Sequence, residues 1–136
     1  MRTQRRIAAL VVAAATAVTA TLVGGAPAYA DQWVSGCNWT GTSGYGRGAC
    51  IRATTGSKNF DNHTQWVGWV NAYRAGLGSD AIIKVEAWGD GFYFSKDNSA
   101  GETWGAQRWV RSGTNVCGAV TYWDGARYIA CIAIRV

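Results

Sequence analysis

Apolar and polar residues alternate with a period of two in the middle of the chain, over residues 82–88. Strict alternation of this kind is typical of a β-strand that buries one face. The run is followed by Gly89-Asp90-Gly91 and then by Phe92-Tyr93-Phe94, so the sequence predicts a β-hairpin with a glycine-rich turn. In its first strand, three side chains are predicted to face the core and three to face solvent: Ile83, Val85 and Ala87 inward, and Lys84, Glu86 and Trp88 outward.

A second hydrophobic run, over residues 65–74, carries apolar side chains on both faces. It predicts a long central strand that is buried on both sides. The polar, glycine-rich stretches around it predict a short lead-in at 31–36, a turn-like region at 54–62, and a polar loop at 95–105 ahead of a short strand at 107–111. The two expected faces of the long strand are Val67, Trp69 and Tyr73 on one side and Trp66, Val70 and Ala72 on the other.

The last stretch of the chain, residues 116–136, contains Asp124-Gly125 between two runs rich in β-branched and aromatic residues. Asp-Gly in this setting is a strong hairpin signal, because both residues tolerate positive φ. Cys117 and Cys131 lie almost symmetrically about the turn, so we expect them to face each other. The sequence therefore predicts a disulfide-bonded terminal hairpin.

Cys37 and Cys50 bracket a looser, glycine-rich hairpin whose midpoint falls between Ser43 and Gly44, as a two-residue loop requires. Four cysteines allow three pairings, and the local pairs Cys37–Cys50 and Cys117–Cys131 are favoured because each brackets a turn. Each such disulfide contributes about 3 kcal/mol in the chain-entropy description. The alternative is a zinc site, which would need closer Cys-x-x-Cys pairs, and the only histidine is His63.

The fold class follows from these runs taken together. No segment after residue 30 has a helical stripe of apolar residues, and glycine interrupts the β-rich runs every eight to twelve residues. This pattern is typical of an all-β protein, a small antiparallel β-sandwich or barrel of about seven or eight strands.

Residues 1–30 have the pattern of a secretory signal peptide. Arg2, Arg5 and Arg6 form a basic start, residues 7–23 are apolar, and Ala28-Tyr29-Ala30 is a small-residue cleavage site. The alternative is an N-terminal membrane anchor, but threonines interrupt the apolar run. The sequence therefore predicts a signal peptide at 1–30 and a single exported domain at 31–136, with no membrane insertion after cleavage.

Most of the chain's formal net charge of +5 belongs to the predicted signal peptide. Without its three arginines, ten of the thirteen basic residues remain against all eight acidic residues, a net charge of +2. No basic stripe or cluster is visible, so we expect no nucleic-acid partner. Export together with paired cysteines predicts an extracellular location.

The aromatic content is high for so short a chain, with eight tryptophans. Most are expected in the core. However, Trp88 shares a face with Lys84 and Glu86, Trp104 falls in the predicted polar loop, and Trp123 lies near a hairpin tip. Exposed aromatic rings stack on sugars or contact a protein partner. The candidate binding residues are Trp88, Tyr93, Trp104 and Trp123.

No catalytic constellation is readable in the sequence. His63 lies in Asp61-Asn62-His63, and no nucleophile elbow accompanies it. Asp90 and Asp124 are expected turn residues, and no EF-hand spacing indicates calcium. We therefore expect a non-catalytic protein without cofactor or metal. A glycosidase would need two facing carboxylates, and the sequence does not say which are paired among Glu86, Asp90, Asp97 and Glu102.

In its size, its export signal and its cysteine frame, the chain resembles small exported β proteins of filamentous soil bacteria. It is similar in these features to the small adapter subunit of secreted umbrella-like toxin particles. The resemblance covers the whole of residues 31–136, rests on the frame Cys37…Cys50 and Cys117…Cys131, and carries over no site residues. It implies a bridge between a large scaffold chain and a lectin-bearing subunit, with a role in antibacterial competition.

The expected function is therefore that of a secreted binding protein that contacts an extracellular protein partner. Two alternatives stay open. One is a carbohydrate-binding, lectin-like module or a small cell-wall-active hydrolase, and the other is a secreted enzyme inhibitor. A protein-binding module predicts an exposed aromatic patch or edge strand, whereas a carbohydrate module predicts coplanar tryptophan rings in a groove.

Overall fold

The computed structural model describes residues 32–40, 46–76 and 78–136, and within these ranges the chain forms eight β-strands and no helix. The expected all-β class is confirmed. The predicted signal peptide lies outside the described residues, and no helix long and apolar enough to cross a membrane occurs within them. The strands are β1 Gln32–Thr40, β2 Arg47–Asn59, β3 Thr64–Arg74, β4 Ile82–Gly89, β5 Phe92–Asp97, β6 Gly101–Arg111, β7 Asn115–Tyr122 and β8 Arg127–Ala133.

The strands form two four-stranded sheets, and every pairing is antiparallel. The first sheet has the order β1-β2-β3-β6, and the second has the order β5-β4-β7-β8. The chain therefore leaves the first sheet after β3, makes the β4–β5 hairpin, returns for β6 and ends in the second sheet. The inner faces of the two sheets pack together as a β-sandwich, which confirms the expected architecture.

Small and β-branched residues fill the space between the sheets, so the two layers come close together. One close approach is at Gly118, where a Cβ atom would lie 3.1 Å from both Ala72 and Ile51. Larger aromatic side chains, including Phe94 and Trp104, pack around this centre. The buried core consists of Ala49, Ile51, Ala53, Val67, Val70, Ala72, Val85, Ala87, Val110, Val116, Val120, Tyr122, Ala130 and Ile134.

Both predicted disulfides are present, and each joins residues directly opposite in a hairpin. Cys37 pairs with Cys50 between β1 and β2, and Cys117 pairs with Cys131 between β7 and β8. The Cα atoms of each pair are 4.1 Å apart. The predicted turn at Ser43-Gly44 lies outside the described residues.

The terminal hairpin turns through a three-residue loop at 123–125. The amide of Gly125 donates to Tyr122 O, and the amide of Tyr122 donates to Ala126 O. Gly125 has a φ of 85°, and Asp124 is not in the left-handed region. The loop is therefore a turn closed by one left-handed glycine. Both residues of Asp124-Gly125 tolerate positive φ, and in the structure the glycine alone of the two adopts it.

Three polar stretches were predicted to be irregular, and that expectation is wrong. The lead-in at 31–36 is strand from Gln32 onward, the turn-like region at 54–62 is strand as far as Asn59, and the loop at 95–105 is mostly β5 and β6. In each case antiparallel pairing satisfies the backbone; for example, Trp33 lies opposite Thr54. Polar side chains on the outer face of a sheet gave these strands the composition of loops.

Register shifts changed the predicted faces of two strands. In β3 the pairing with β6 shifts between Val67 and Trp69, so Val67 is buried while Trp69 is about half exposed. β3 is central, but its outer face is not covered, contrary to the expectation of burial on both sides. In β4 a shift against β7 between Ile82 and Lys84 leaves Ile83 exposed, although it was predicted to face the core. An irregular pairing moves side chains to the opposite face.

An ion cluster joins the two sheets at the end that holds the β7–β8 turn. Arg47 Nε donates to Asp80 at 2.7 Å, and its Nη1 donates to both carboxylate oxygens of Asp124. The hydrogen bond from Arg47 lowers the pKa of Asp124. Beneath Arg47, the buried hydroxyl of Tyr122 bonds with the backbone of Gly48. Asp124 thus has a structural role beyond its turn.

Candidate functional site

The four aromatic residues predicted from the sequence do not form one patch. Trp88 and Tyr93 lie directly opposite each other in β4 and β5, on the outer face of the second sheet. Trp123 is 62% exposed at the tip of the β7–β8 hairpin. Trp104 lies in β6 and not in a loop, and it points toward the core. It stacks on Phe94 with ring centroids 5.7 Å apart and planes within 8°.

A larger aromatic surface lies on the outer face of the first sheet. Its residues alternate along the strands with buried residues such as Val67, Val70 and Val110, so they point away from the core. Three of its tryptophans are close to half exposed: Trp33 at 52%, Trp69 at 49% and Trp109 at 46%. We call this surface the first-sheet face, and it comprises Trp33, Arg52, Trp66, Trp69, Tyr73 and Trp109.

Arg52 organises one end of the first-sheet face. Its guanidinium carbon lies 4.8 Å from the ring centroid of Trp33 and 5.6 Å from that of Tyr73. Its Nε donates to Asn71 Oδ1 at 3.0 Å. Asn71 is itself fixed, because its amide donates to Glu102 O and to Thr103 Oγ1. The guanidinium is therefore held in place before any partner arrives.

The other end of this face is formed by tryptophans. Trp66 and Trp109 lie opposite each other in β3 and β6, and their rings meet edge to face at 5.8 Å with an interplanar angle of 68°. Trp69 lies over Gly105, where a Cβ atom would be 3.6 Å from its ring. The Trp69 indole therefore packs against β6 at Gly105.

The charges of the first-sheet face are of one sign. The four strands contain a single carboxylate, Glu102, and it lies across from buried Ala72, on the inward side. The outward side carries Arg52 and, at its end, Arg111. Asp90 from the β4–β5 turn forms a bidentate ion pair with Arg111, and this hydrogen bond lowers the pKa of Asp90. Arg52 is thus the cation of this face that has no acidic partner among the described residues.

The outward position of these tryptophans is only partly visible in the sequence. Trp109 is out of phase with Arg108 and Val110, which marks it as a residue on the opposite face, yet it was not selected. Trp69 was assigned with Val67 because the bulge between them has no sequence signature. Trp33 was placed in a lead-in. A pattern of outward tryptophans became visible only once the register of β1, β2, β3 and β6 was known.

The outer face of the second sheet holds a carboxylate that is shielded from solvent. Glu86 is only 7% exposed, although it was predicted to lie on a solvated face. Tyr93 donates its hydroxyl to Glu86 Oε2 at 2.5 Å, and Arg127 Nε donates to Oε1 at 3.2 Å. Burial raises the pKa of Glu86, but the two hydrogen bonds outweigh it and the net pKa is lowered. The same contact raises the pKa of Tyr93.

Because the pKa of Glu86 is lowered in the folded protein, protonation of this carboxylate in acid should reduce the stability of the fold. A group whose folded pKa is depressed stabilises the fold above its unfolded pKa of about 4.3, and loses that contribution as pH falls through the folded value. We expect the stability advantage of the wild type over Glu86→Gln to shrink between about pH 5 and about pH 2. Thermal melts of both proteins across this range measure it. An advantage that stays constant over the range would contradict the assignment.

The remaining polar candidates have structural surroundings. His63 lies exposed in the β2–β3 turn with a φ of 51°, and its carbonyl accepts from Ser112 N. The described residues contain no group of three or more histidine, cysteine or acidic side chains that could hold a metal ion. A cleft of about 340 Å³ opens between β1, β2 and β8, and the described residues that line it include Lys58 and Arg135 and no acidic side chain.

No protein family, curated protein or solved structure matches this chain in the comparisons made with each.

Proposed function

We propose that this chain is a secreted, non-catalytic binding protein whose first-sheet face contacts a protein partner. The observation that carries the proposal is the exposure of Trp33, Trp69 and Trp109 on one side of one sheet. Several exposed aromatic side chains on one side of a sheet are typical of interaction sites. Two disulfides suit a protein that works in an oxidising compartment.

The composition of the face fits a protein interface. Tryptophan, tyrosine and arginine are the residues most enriched among interface hot spots, and the first-sheet face consists of these three types alone. A sheet face is broad and gently curved, so it can meet another folded surface over many residues. Arg52 is already oriented by Asn71, Trp33 and Tyr73, which reduces the entropy lost on binding.

The ring geometry favours protein over carbohydrate as the partner. A sugar platform needs exposed rings with free, coplanar faces. Trp66 and Trp109 are instead inclined at 68°, and the guanidinium of Arg52 covers rings of Trp33 and Tyr73. The guanidinium of Arg52 therefore occupies a position at each of those rings where a sugar could otherwise stack.

The charge of the face indicates the chemistry of the partner. Arg52 is present and, among the described residues of the four strands, no carboxylate points outward, so we expect the complementary surface to carry an acidic residue among apolar ones. The similarity to adapter subunits of umbrella-like toxin particles suggests that such a partner is another chain of a secreted complex. In that setting the protein would join components of an antibacterial particle.

Truncating the tryptophans of this face should abolish capture of the partner. In affinity purification of the tagged protein from culture supernatant, Trp69→Ala and Trp109→Ala should each weaken recovery by about 30-fold, the cost of losing a hot-spot side chain. Trp123→Ala is the matched control, because Trp123 is more exposed but lies at a hairpin tip. Mass spectrometry quantifies the recovered chain, and melting temperatures verify that each variant is folded.

Three results would contradict the proposal. The first is recovery of no stoichiometric protein by the wild type. The second is recovery that survives both face substitutions and is lost with Trp123→Ala, which would favour the hairpin tip. The third is glycan-array binding that disappears with Trp69→Ala, which would move the assignment to a carbohydrate-binding module.

A further inference from the structure

The second sheet also has an organised site on its outer face, and the proposed function does not use it. Its centre is the Glu86 carboxylate, which is buried on the side of the sheet that faces away from the core. Placing a carboxylate under other side chains is costly unless hydrogen bonds compensate for lost hydration. Here both oxygens have a donor, one from Tyr93 and one from Arg127.

Glu86 fixes the position of Arg127. The Nε of Arg127 is bonded to the carboxylate, and its guanidinium carbon lies 5.2 Å from the ring centroid of Trp88. A guanidinium held at Nε and stacked on an indole has few orientations left. Its two terminal nitrogens are donors, and they form no hydrogen bond within the described part of the chain. The arginine side chain remains 42% exposed.

The surroundings of Arg127 complete a receptor for an anion. Lys84, Thr121 and Arg127 are consecutive partners across β4, β7 and β8, so a hydroxyl lies between two cations in one row. Tyr93 and Ile129 provide exposed apolar surface on either side. Because the Glu86 carboxylate accepts from Nε of Arg127, it leaves the two terminal nitrogens of the guanidinium to an incoming carboxylate.

We propose that this second-sheet face, formed by Lys84, Glu86, Trp88, Tyr93, Thr121, Arg127 and Ile129, binds an acidic side chain of a second protein partner through Arg127. A planar guanidinium with two free terminal donors matches the two oxygens of a carboxylate. The exposed apolar flanks, and the guanidinium that already lies over the Trp88 ring, fit a protein surface better than a sugar.

The two sites together describe a bridging protein. The outer faces of a sandwich point in opposite directions, so partners on the first-sheet face and the second-sheet face would not compete. This inference rests on the proposed function, in which the chain acts by binding proteins. It adds a second surface and a second partner, and it assigns the recognition chemistry of that surface.

The receptor can be tested directly with small probes. Isotope-labelled protein is titrated with N-acetylglutamate methylamide and, in parallel, with the glutamine counterpart that lacks the charge. We expect saturable shifts in the nuclear magnetic resonance signals of the Trp88 indole N–H and the Arg127 Nε–H. These shifts should occur with the glutamate probe and not with the glutamine probe. Galacturonate and galactose form the second pair of probes, and they test an acidic sugar as the source of the carboxylate.

Substitutions of Arg127 separate a built receptor from general electrostatic attraction. Arg127→Gln should weaken binding of the acidic probe by about tenfold or more, because a hydrogen bond to a charged group is lost. Arg127→Lys keeps the charge but loses the planar fork, so it should also bind weakly. The double variant Glu86→Gln/Arg127→Gln avoids an unpaired buried charge and should match Arg127→Gln, which shows that misfolding is not the cause.

Several outcomes overturn the inference. Equal shifts with the glutamine probe would leave Arg127 as a purely structural residue, and full binding by Arg127→Lys would show that general electrostatic attraction accounts for the binding. Tighter binding of galacturonate than of the acidic amino acid would replace the protein partner with an acidic carbohydrate.

Capture experiments keep this inference distinct from the proposed function. Arg127→Gln should lose one protein from the purified set while Trp69→Ala loses another. If Arg127→Gln loses nothing and Trp69→Ala still does, the second surface fails and the proposed function stands. If only Arg127→Gln loses a partner, the first-sheet face is the one that fails.

Discussion

Replacing both Cys117 and Cys131 with alanine should lower the free energy of unfolding by about 3 kcal/mol, since the disulfide closes a loop with a sequence separation of 14. For a domain of this size that corresponds to a fall in melting temperature of roughly 10–20 °C. The bond joins β8 to β7, a central strand whose Val116, Ala119 and Val120 are fully buried. Removing the disulfide therefore weakens the attachment of β8 to a strand of the core, and it should destabilise the whole sandwich cooperatively.

The Cys37–Cys50 bond is a matched control for this prediction. Its sequence separation is 13, so chain entropy alone predicts almost the same cost. However, β1 is an edge strand that is exposed along nearly its whole length. We expect the Cys37→Ala/Cys50→Ala variant to lose protection of β1 amides from hydrogen exchange, with at most about half the fall in melting temperature.

Calorimetry and hydrogen exchange on the two double variants distinguish these cases. Equal falls in melting temperature, with β1 still protected in both variants, would show that β1 belongs to the same cooperative unit as β7. Retention of full stability without Cys117–Cys131 would contradict the first prediction outright.

Gly118→Val should destabilise the protein by about 3 kcal/mol or more, because it adds three carbon atoms at a close contact between the sheets. The first of them would already lie 3.1 Å from Ala72 Cβ and from two carbons of Ile51. These neighbours are fully buried and belong to the opposite sheet, so the layers must separate to admit the side chain. Urea unfolding monitored by tryptophan fluorescence measures the loss.

Gly105→Ala provides the control for Gly118→Val. Gly105 also lies within a strand, but a Cβ atom there would meet its nearest neighbours at 3.5 Å or more, which is ordinary contact. The free energy of unfolding of the Gly105→Ala variant should stay within about 0.5 kcal/mol of that of the wild type. A loss from Gly105→Ala as large as that from Gly118→Val would indicate a general intolerance of glycine replacement in strands.

The sequence predicted the parts of the fold that depend on local patterns. The all-β class, the β4–β5 hairpin and both disulfide pairs follow from alternation, turn residues and the spacing of cysteines, and each is confirmed. The ends of strands were predicted wrongly where outward-facing polar residues have the composition of a loop, as at 54–62. Trp69 and Ile83 were assigned to the wrong side of their strands, because the position of a bulge depends on tertiary pairing rather than on composition.

The candidate sites were harder to predict for a related reason. Trp88 and Tyr93 were selected as single exposed aromatics, and the structure places both around Glu86 and Arg127. Arg127 is 41 residues from Glu86 in the sequence, so only the order β5-β4-β7-β8 brings them together. The first-sheet face likewise draws on four strands. Sequence periodicity predicts which side chains share a face within one strand. It does not predict which strands are adjacent in the sheet.

The position of β1 also bears on self-association. A sheet edge with unpaired backbone groups is a template on which further strands can grow into aggregates. β8 is such an edge, but β1 lies against it, and Asn38 Nδ2 caps the carbonyl of Ile129 at 3.1 Å. Gly36 allows this approach, since a Cβ atom there would come within 2.9 Å of Cys131 O. The least buried strand of the protein thus shields its C-terminal edge from intermolecular strand addition at high concentration.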